Sequence, residues 1–581
     1  MLSTNTTSSA ASKAFGALTR CLNRSNENYS ATLATFMRER GLTWPISRQV
    51  RFFDVLDVLL DLSVNWKVSP WFDVRLRYLH SRSDVDRVVI VFGEPGHVTL
   101  LRMEQIAALD KSAYASAVRA IVRLLSSSDN GSKVAEKTSE GSSEIELLRH
   151  DETALRETIV SALGENEVDD SLLTLKESGS VLQNVSFEEW KALLDKHLGP
   201  KAGGFAISPD TTVLLLCKSL FARLSAVMST IPVGRLLDAL GWTFAYSYAW
   251  IGNPLLDGLP PTEVRGPEGD DIVGPFTRVL CFAAVLESFG IAPAAPFFVR
   301  KFPATERDKV AVVLNATALT LVAAIETSRS ISNVTKAKAR AKILSHTRQT
   351  LWPAQPFLSL DALDSLYARF PSADAKNFYT SWLESRKAQR AALSERSYGT
   401  LMTAKLRWYA EKIRYVYSLN RIALGLAAVF PPSYHLQGSA VMTYASLGFQ
   451  FARKLISTID LRGRFLDYDG NSTGKEWWER KRKCRLDKAR TLKRRRAITD
   501  LLALDVALAT MEKVSASDQS QLRLKLLEKQ TPEQTFYVSY CNRFCGKHNA
   551  RDMCDLAMNG SQFKVAFDCP WRVVNRGCLL F

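Results

Sequence analysis

Histidine is scarce in this chain of 581 residues. The seven are His80, His97, His150, His197, His346, His435 and His548, and the nearest two are His80 and His97. A zinc site carried on one helix needs two imidazoles about four residues apart. No such pair exists, so any metal centre would have to gather ligands from separated segments. The nine cysteines include no C-x-x-C pair, which argues against a zinc knuckle. No run of about 18 uninterrupted apolar residues is present, the length needed to cross a bilayer. Residues 1–30 hold no strong apolar stretch of the signal-peptide kind. Glycine-rich phosphate loops, internal repeats and heptad arrays are also missing. One G-x-S-x-G match, Gly470–Gly474, follows the polar Asp467–Asp469 rather than an apolar strand. The context of a nucleophile elbow is therefore lacking, and Ser472 reads as a turn residue in a sequon.

What is present is a globular composition, 46% apolar and 23% charged, in a chain long enough for two or more domains. The formal net charge of +17 permits a nucleic acid, an anionic surface or no specific partner. Much of it is local: Lys481–Arg496 holds ten basic residues against the single acid Asp487. The run has no interleaved aromatics, which disfavours nucleic acid. A solvated basic face, or a site for an anionic glycan or an acidic lipid surface, fits it better. Six of the nine cysteines fall after residue 480, and eight N-x-S/T sequons are present. A ninth sequon stands at Asn130, and cysteines and sequons alike fit an oxidising compartment. The Ser/Thr-rich N-terminus has no acid before Glu27, which leaves a mitochondrial presequence or a poorly ordered tail as its readings.

Periodicity predicts a mostly helical chain with short strands. "RFFDVLDVLLDLSV" reads as helix and "DRVVIVFG" as strand. Residues 125–147 read as an exposed loop, and the prolines of Gly252–Asp270 as an irregular connection. "SFEEWKALL" carries a helix start, with Ser186 as cap and Glu189 as its reciprocal partner. The character of the chain changes near residue 430.

Several segments together resemble the neprilysin/endothelin-converting-enzyme-like metallopeptidases, family M13. They are "FMRERGLTWP", "LLDLSVNWKVSPWFDVRL", "SFEEWKALL", "FPPSYHLQGSAVMTYASLGF", "GKEWWERKRKC", "TFYVSYCNRFCG" and "FKVAFDCP". The divergent members expanded in ticks are most similar. The resemblance spans most of residues 35–581 and implies a helical, two-lobed ectodomain with an α+β C-terminal lobe. It divides the chain into a poorly ordered tail (1–34), a partial N-terminal helical domain (35–410) and a degenerate peptidase domain (411–581). Family members carry a membrane or signal segment upstream, so the resemblance also implies an N-terminally truncated chain.

The family's chemistry needs His-Glu-x-x-His on one helix and a Glu from a second. By this resemblance Arg453 stands at the first His, Lys454 at the Glu, Ser457 at the second His and Arg496 at the third ligand. Guanidinium groups have no free lone pair and repel a divalent cation. Serine is a poor neutral ligand, and a lysine is a base only with a heavily depressed pKa. Zinc is accordingly not expected as a cofactor. Asp460 and Asp500 match the carboxylates that would orient the first and second His. They are expected either to pair with Arg453, Arg496 or Lys454, or, for Asp460, to lie exposed at a helix end. Arg414 takes the place of the substrate-gripping Asn, with Tyr417 near it, and no counterpart of the transition-state His and Arg is found. Cys484 and Cys578 match a family disulfide. Cys281, Cys545 and Cys569 match disulfide positions whose partners lie in the missing segment, and "CLLF" becomes a variant of the family's ending. The function implied is that of an inactive M13 homologue, a glycosylated extracellular or plasma-membrane ectodomain binding a peptide or protein. The alternatives are a zinc metalloendopeptidase by ancestry and a binder of an anionic partner through 481–496.

Overall fold

The computed structural model describes residues 9–24, 27–46, 48–79, 87–126, 142–164, 170–179, 185–258, 275–294, 296, 300, 302–351, 359–393, 395, 413–478, 492–515, 529–545, 550–558 and 560–569. Two compact units are formed: residues 1–297 with 356–406, and residues 298–355 with 407–581. Helices α1 (Ser9–Leu22), α2 (Val233–Gly252) and α3 (Pro275–Phe289) belong to the first. Helix α4 (Ala304–Thr327) lies in the inserted part of the second, and α5 (Phe378–Ala391) returns to the first. Helices α6 (Phe449–Ile456), α7 (Leu492–Ser515) and α8 (Pro532–Asn542) complete the second. The fold is mainly helical, as expected. Residues 298–355 belong to the same unit as residues 407–581.

The first unit holds a four-stranded sheet in the order β1-β2-β4-β3. Its strands are β1 (Asp73–Leu79), β2 (Arg87–Gly93), β3 (Ser171–Thr174) and β4 (Thr212–Leu215). β2 pairs antiparallel with β1 and parallel with β4, and all four residues of β4 are buried. The core beside it contains fully buried Trp71, Trp190, Trp242, Trp250 and Trp382. α2 is apolar on almost every face and is buried accordingly. Gly241 lets it approach Trp44, because a Cβ there would come within 2.4 Å of the Trp44 Cβ. The helix Phe187–Leu198 starts at the expected cap, where Ser186 accepts from the Glu189 amide and the Glu189 carboxylate accepts from Ser186 N at 2.9 Å.

Three expectations are corrected. Residues 9–22, read as part of a poorly ordered tail, form α1, which packs on α3 and buries Ala10, Ala11, Ala14, Ala17 and Cys21. Those residues share one helical face, and a stripe of small side chains allows close packing despite its low hydrophobicity. Cys281 is not left without a partner: it forms a disulfide with Cys21. The exposed segment expected to run to residue 147 gives way to helix at Ser142, where Ile145 begins to be buried.

In the second unit β5 (Arg348–Leu351), β6 (Ile413–Val416) and β7 (Arg421–Leu424) form a sheet in the order β5-β7-β6. β7 is central, parallel to β5 and antiparallel to β6. α4, α6 and α7 pack together beside it, and α6 also contacts β6. α4 is long and apolar enough to cross a membrane, but half of that window is buried in the unit. A second disulfide joins Cys541 to Cys554, while Cys545 and Cys569 are free. Cys484 and Cys578 lie outside the described residues, as does residue range 481–491 of the basic run.

Candidate functional site

Ser439 caps the helical stretch that leads into α6, accepting from the Met442 amide at 3.3 Å. A π-helical turn at Tyr444–Gly448 joins it to α6. Phe449, Phe451, Ala452, Leu455 and Ile456 are buried, which leaves Arg453, Lys454 and Ser457 half-exposed along one side. α7 lies against α6 and carries Arg496 one helical turn before Asp500. Arg453 and Asp500 therefore meet on facing helices, although they are distant in sequence.

The expected ion pair forms at one of the two carboxylates. Arg453 Nε lies 2.5 Å from Asp500 Oδ1, with the aspartate side chain 5% exposed and the arginine 34%. Asp500 thus faces the first of the three α6 positions, not the third. Asp460 is engaged differently. Its Oδ2 accepts from the Tyr417 hydroxyl at 2.5 Å, and its Oδ1 accepts from the amides of Arg462 and Gly463 at 3.0 and 2.8 Å. Burial pushes the Asp460 carboxyl up, and the backbone donors and Tyr417 oppose that. Burial and the neighbouring Asp460 charge push the Tyr417 phenol well above its ordinary value. The Arg462 guanidinium covers the Tyr417 ring at 4.4 Å.

Two cations that sequence reasoning missed belong to the same neighbourhood. Lys342 donates to the carbonyls of Gly463 and Leu466 at 2.7 and 2.8 Å, so it ties down the loop after Asp460. Burial lowers its pKa to about 8, with Asp460 and Asp467 opposing. Arg543, just past α8, lies over the rings of Phe449 and Phe544 at 4.7 and 4.5 Å. Burial lowers it to about 10. Its charge interacts with both Arg453 and Asp500. A lone arginine in a loop gives no local signal of such a position.

This donor set does not fit a zinc ion. Among the described residues, Arg453 and Arg543 bring cations to Asp500, and that carboxylate is already paired with a guanidinium. Among the described residues no group of three His, Cys, Asp or Glu could hold a metal. Arg414 lies on β6 opposite Ala423, half-exposed. Among the described residues β6 pairs only with β7, and no described strand pairs with its outer edge. Ser472 is exposed in a turn bridged to Leu466.

Breaking the Arg453–Asp500 pair should leave a buried carboxylate without its counter-charge. Arg453→Leu is expected to destabilise the second unit by about 2 kcal/mol. The double variant Arg453→Leu/Asp500→Leu should recover most of that loss. Urea unfolding followed by tryptophan fluorescence measures both. Equal losses in the single and double variants would mean that the pair contributes nothing specific.

Residues 1–353 match the sequence model of peptidase family M13, N-terminal part. With this fold around it, the chain belongs to peptidase family M13. No curated protein sequence matches it. Among solved structures, Mycobacterium tuberculosis zinc metalloprotease Zmp1 in complex with an inhibitor is similar at 13% identity and a TM-score of 0.60. That match covers 97% of this chain and 90% of that one. PepO from Lactobacillus rhamnosis HN001 gives 12% identity and a TM-score of 0.57, over 98% and 89%. The Haemonchus galactose containing glycoprotein complex gives 13% and 0.60, over 97% and 91%. At such identities the likeness concerns the fold.

Proposed function

We propose that this M13 chain is a pseudopeptidase: it holds no catalytic zinc, hydrolyses no peptide, and acts by binding an extended peptide or a protein segment. The observation that carries this reading is Arg453, a permanent cation on α6 paired with Asp500 at 2.5 Å. It occupies the position that the family resemblance gives to a zinc-binding imidazole. The outer edge of β6, paired with no described strand and beside α6, supports the binding half, since an edge strand offers backbone donors and acceptors to an added strand. Arg414 on that strand favours an acidic side chain in the bound segment. The disulfides Cys21–Cys281 and Cys541–Cys554 favour an ectodomain in an oxidising compartment.

Elemental analysis of the purified full chain should give well under one zinc per chain. A stoichiometric zinc that disappears on mutating Arg453, Lys454 or Ser457 would sink the reading. Hydrogen exchange gives the binding arm. An extended acidic peptide should protect the amides of Ile413–Val416, and protection elsewhere alone would remove β6 from the proposal.

A further inference from the structure

Three arginines of the first unit, Arg75, Arg386 and Arg390, lie near enough to Lys67 to act on its charge, and the N–H groups of the four cations outnumber the acceptors that reach them. Arg75 follows Asp73 on β1, Lys67 precedes the strand, and Arg386 and Arg390 lie one turn apart on α5. Arg75 Nη1 pairs with Asp73. Arg386 donates from Nη1 to the carbonyls of Lys67 and Glu287 at 3.3 and 3.1 Å, and from Nη2 to the Glu287 carboxylate at 3.2 Å. Arg390 Nη2 donates to the carbonyls of His197 and Ala202 at 3.2 and 2.6 Å.

What remains is unpartnered. Nε of Arg75, Nε of Arg386 and Nη1 of Arg390 are buried without a hydrogen-bond partner. The Lys67 ammonium makes no hydrogen bond or ion pair among the described residues. The side chains of Arg386 and Arg75 are 0% and 11% exposed, while Lys67 keeps part of its surface accessible. Lys67 is also held in the left-handed region, at φ 54°, a strained backbone for a non-glycine residue.

The nearby acids do not balance this set. Glu287 is engaged by Arg386 and by the Val98 amide at 3.0 Å, and Asp61 accepts from Asn65 at 2.7 Å. Burial lowers Lys67 to about 8, opposed by Asp73 and reinforced by Arg75, Arg390 and Arg386. Interior waters would satisfy the stranded N–H groups but leave the charge. A tetrahedral oxyanion supplies several acceptors and the missing negative charge together.

We propose that this cluster of cations is a binding site for a small oxyanion of the phosphate or sulfate class, held by Lys67, Arg75, Arg386 and Arg390, with Lys67, the part-accessible member, on the solvent side. The site lies wholly in the first unit and is separate from α6 and α7. A free anion and one borne as an ester on a sugar present the same kind of oxygens to these donors.

The test uses the purified full chain at pH 7 and fixed ionic strength, with sodium chloride replaced stepwise by millimolar sulfate or phosphate. Thermal unfolding should show a saturable rise of about 2–4 °C. Lys67→Met and Arg390→Gln should each weaken the response at least about tenfold, since each removes one charge-assisted contact. Lys67→Met should also unfold at a higher temperature than the parent in chloride alone, because it relieves the repulsion among the cations. A purely structural lysine would not give those opposite signs. A sulfated monosaccharide in place of sulfate separates the sources: a matching rise extends the site to esters, and a response to the free ions alone restricts it to them. A rise that is linear in concentration and equal in both variants is the general effect of salt on burial and overturns the proposal. So does a response to sulfate no larger than to chloride.

Discussion

The fourfold variant Arg453→His, Lys454→Glu, Ser457→His and Arg496→Glu should not become a peptidase. It would restore the family's ligand types on α6 and α7, and it would free Asp500 from Arg453. The surroundings would remain unsuited. Arg543 stays beside the site as a buried cation, held over Phe449 and Phe544, and its charge acts on the same space as Arg453 and Asp500. Asp460 is not available to orient an imidazole, because its two oxygens already accept from Tyr417, Arg462 and Gly463. By the family resemblance Arg414 still stands where an Asn would grip substrate, and that resemblance gives no counterpart of the transition-state His and Arg. Loss of one such donor costs about 10²–10³ in rate. With more than one absent, turnover of a fluorogenic family peptide should stay within a few-fold of buffer. Strong turnover that a chelator abolishes would show that the remaining apparatus survives and that the pseudopeptidase reading rests on four side chains only.

The parts of this molecule that were legible in the sequence are those set by local pattern. The Ser186/Glu189 cap and the strand at Arg87–Gly93 follow from spacing and side-chain type, whereas the helix carrying Arg453 is implied by the family resemblance. Ten or fewer neighbouring residues decide the cap and the strand. The N-terminal helix was misread for a different reason. Its Ser/Thr-rich composition suggested a tail, yet Ala10, Ala14, Ala17 and Cys21 recur at helical spacing and are buried. That signal was present but weak, since alanine adds little apolar area. At the site, the Arg453–Asp500 pair was one of several pairings open to those charges, and contact between facing helices decided it. Lys342 and Arg543 were not legible at all. Each reaches the site from a segment distant in sequence, and nothing beside either residue marks its destination.

Removal of the Cys21–Cys281 disulfide should be among the most destabilising changes available in the first unit. The bond joins residues 260 apart, so it closes a long loop in the unfolded chain. For a loop of that length the entropic estimate is about 5 kcal/mol. Apolar packing compensates little on α1. Its buried face is mostly alanine, which contributes small apolar area, and Gly16 is needed for close approach, a Cβ there falling 2.7 Å from the Ala373 carbonyl oxygen. The polar ties lie mostly at its two ends: the amides of Ser9 and Ala10 donate to Asp364 at 3.0 and 2.8 Å, Lys13 donates to the Tyr367 and Ala368 carbonyls at 2.8 and 3.1 Å, and Arg20 donates to the Ala373 carbonyl and the Ser381 hydroxyl. The double variant Cys21→Ala/Cys281→Ala keeps both sites apolar and removes only the bond. It should lower Tm by about 10 °C. Limited trypsin digestion should then cut at Arg20 or Arg24, residues that the parent protects by docking α1 on α3. Global and local readouts are both needed, because undocking of α1 alone would raise cleavage without moving the main transition. Unchanged Tm together with unchanged cleavage would mean that packing alone holds α1, and that the bond adds no stability to this unit.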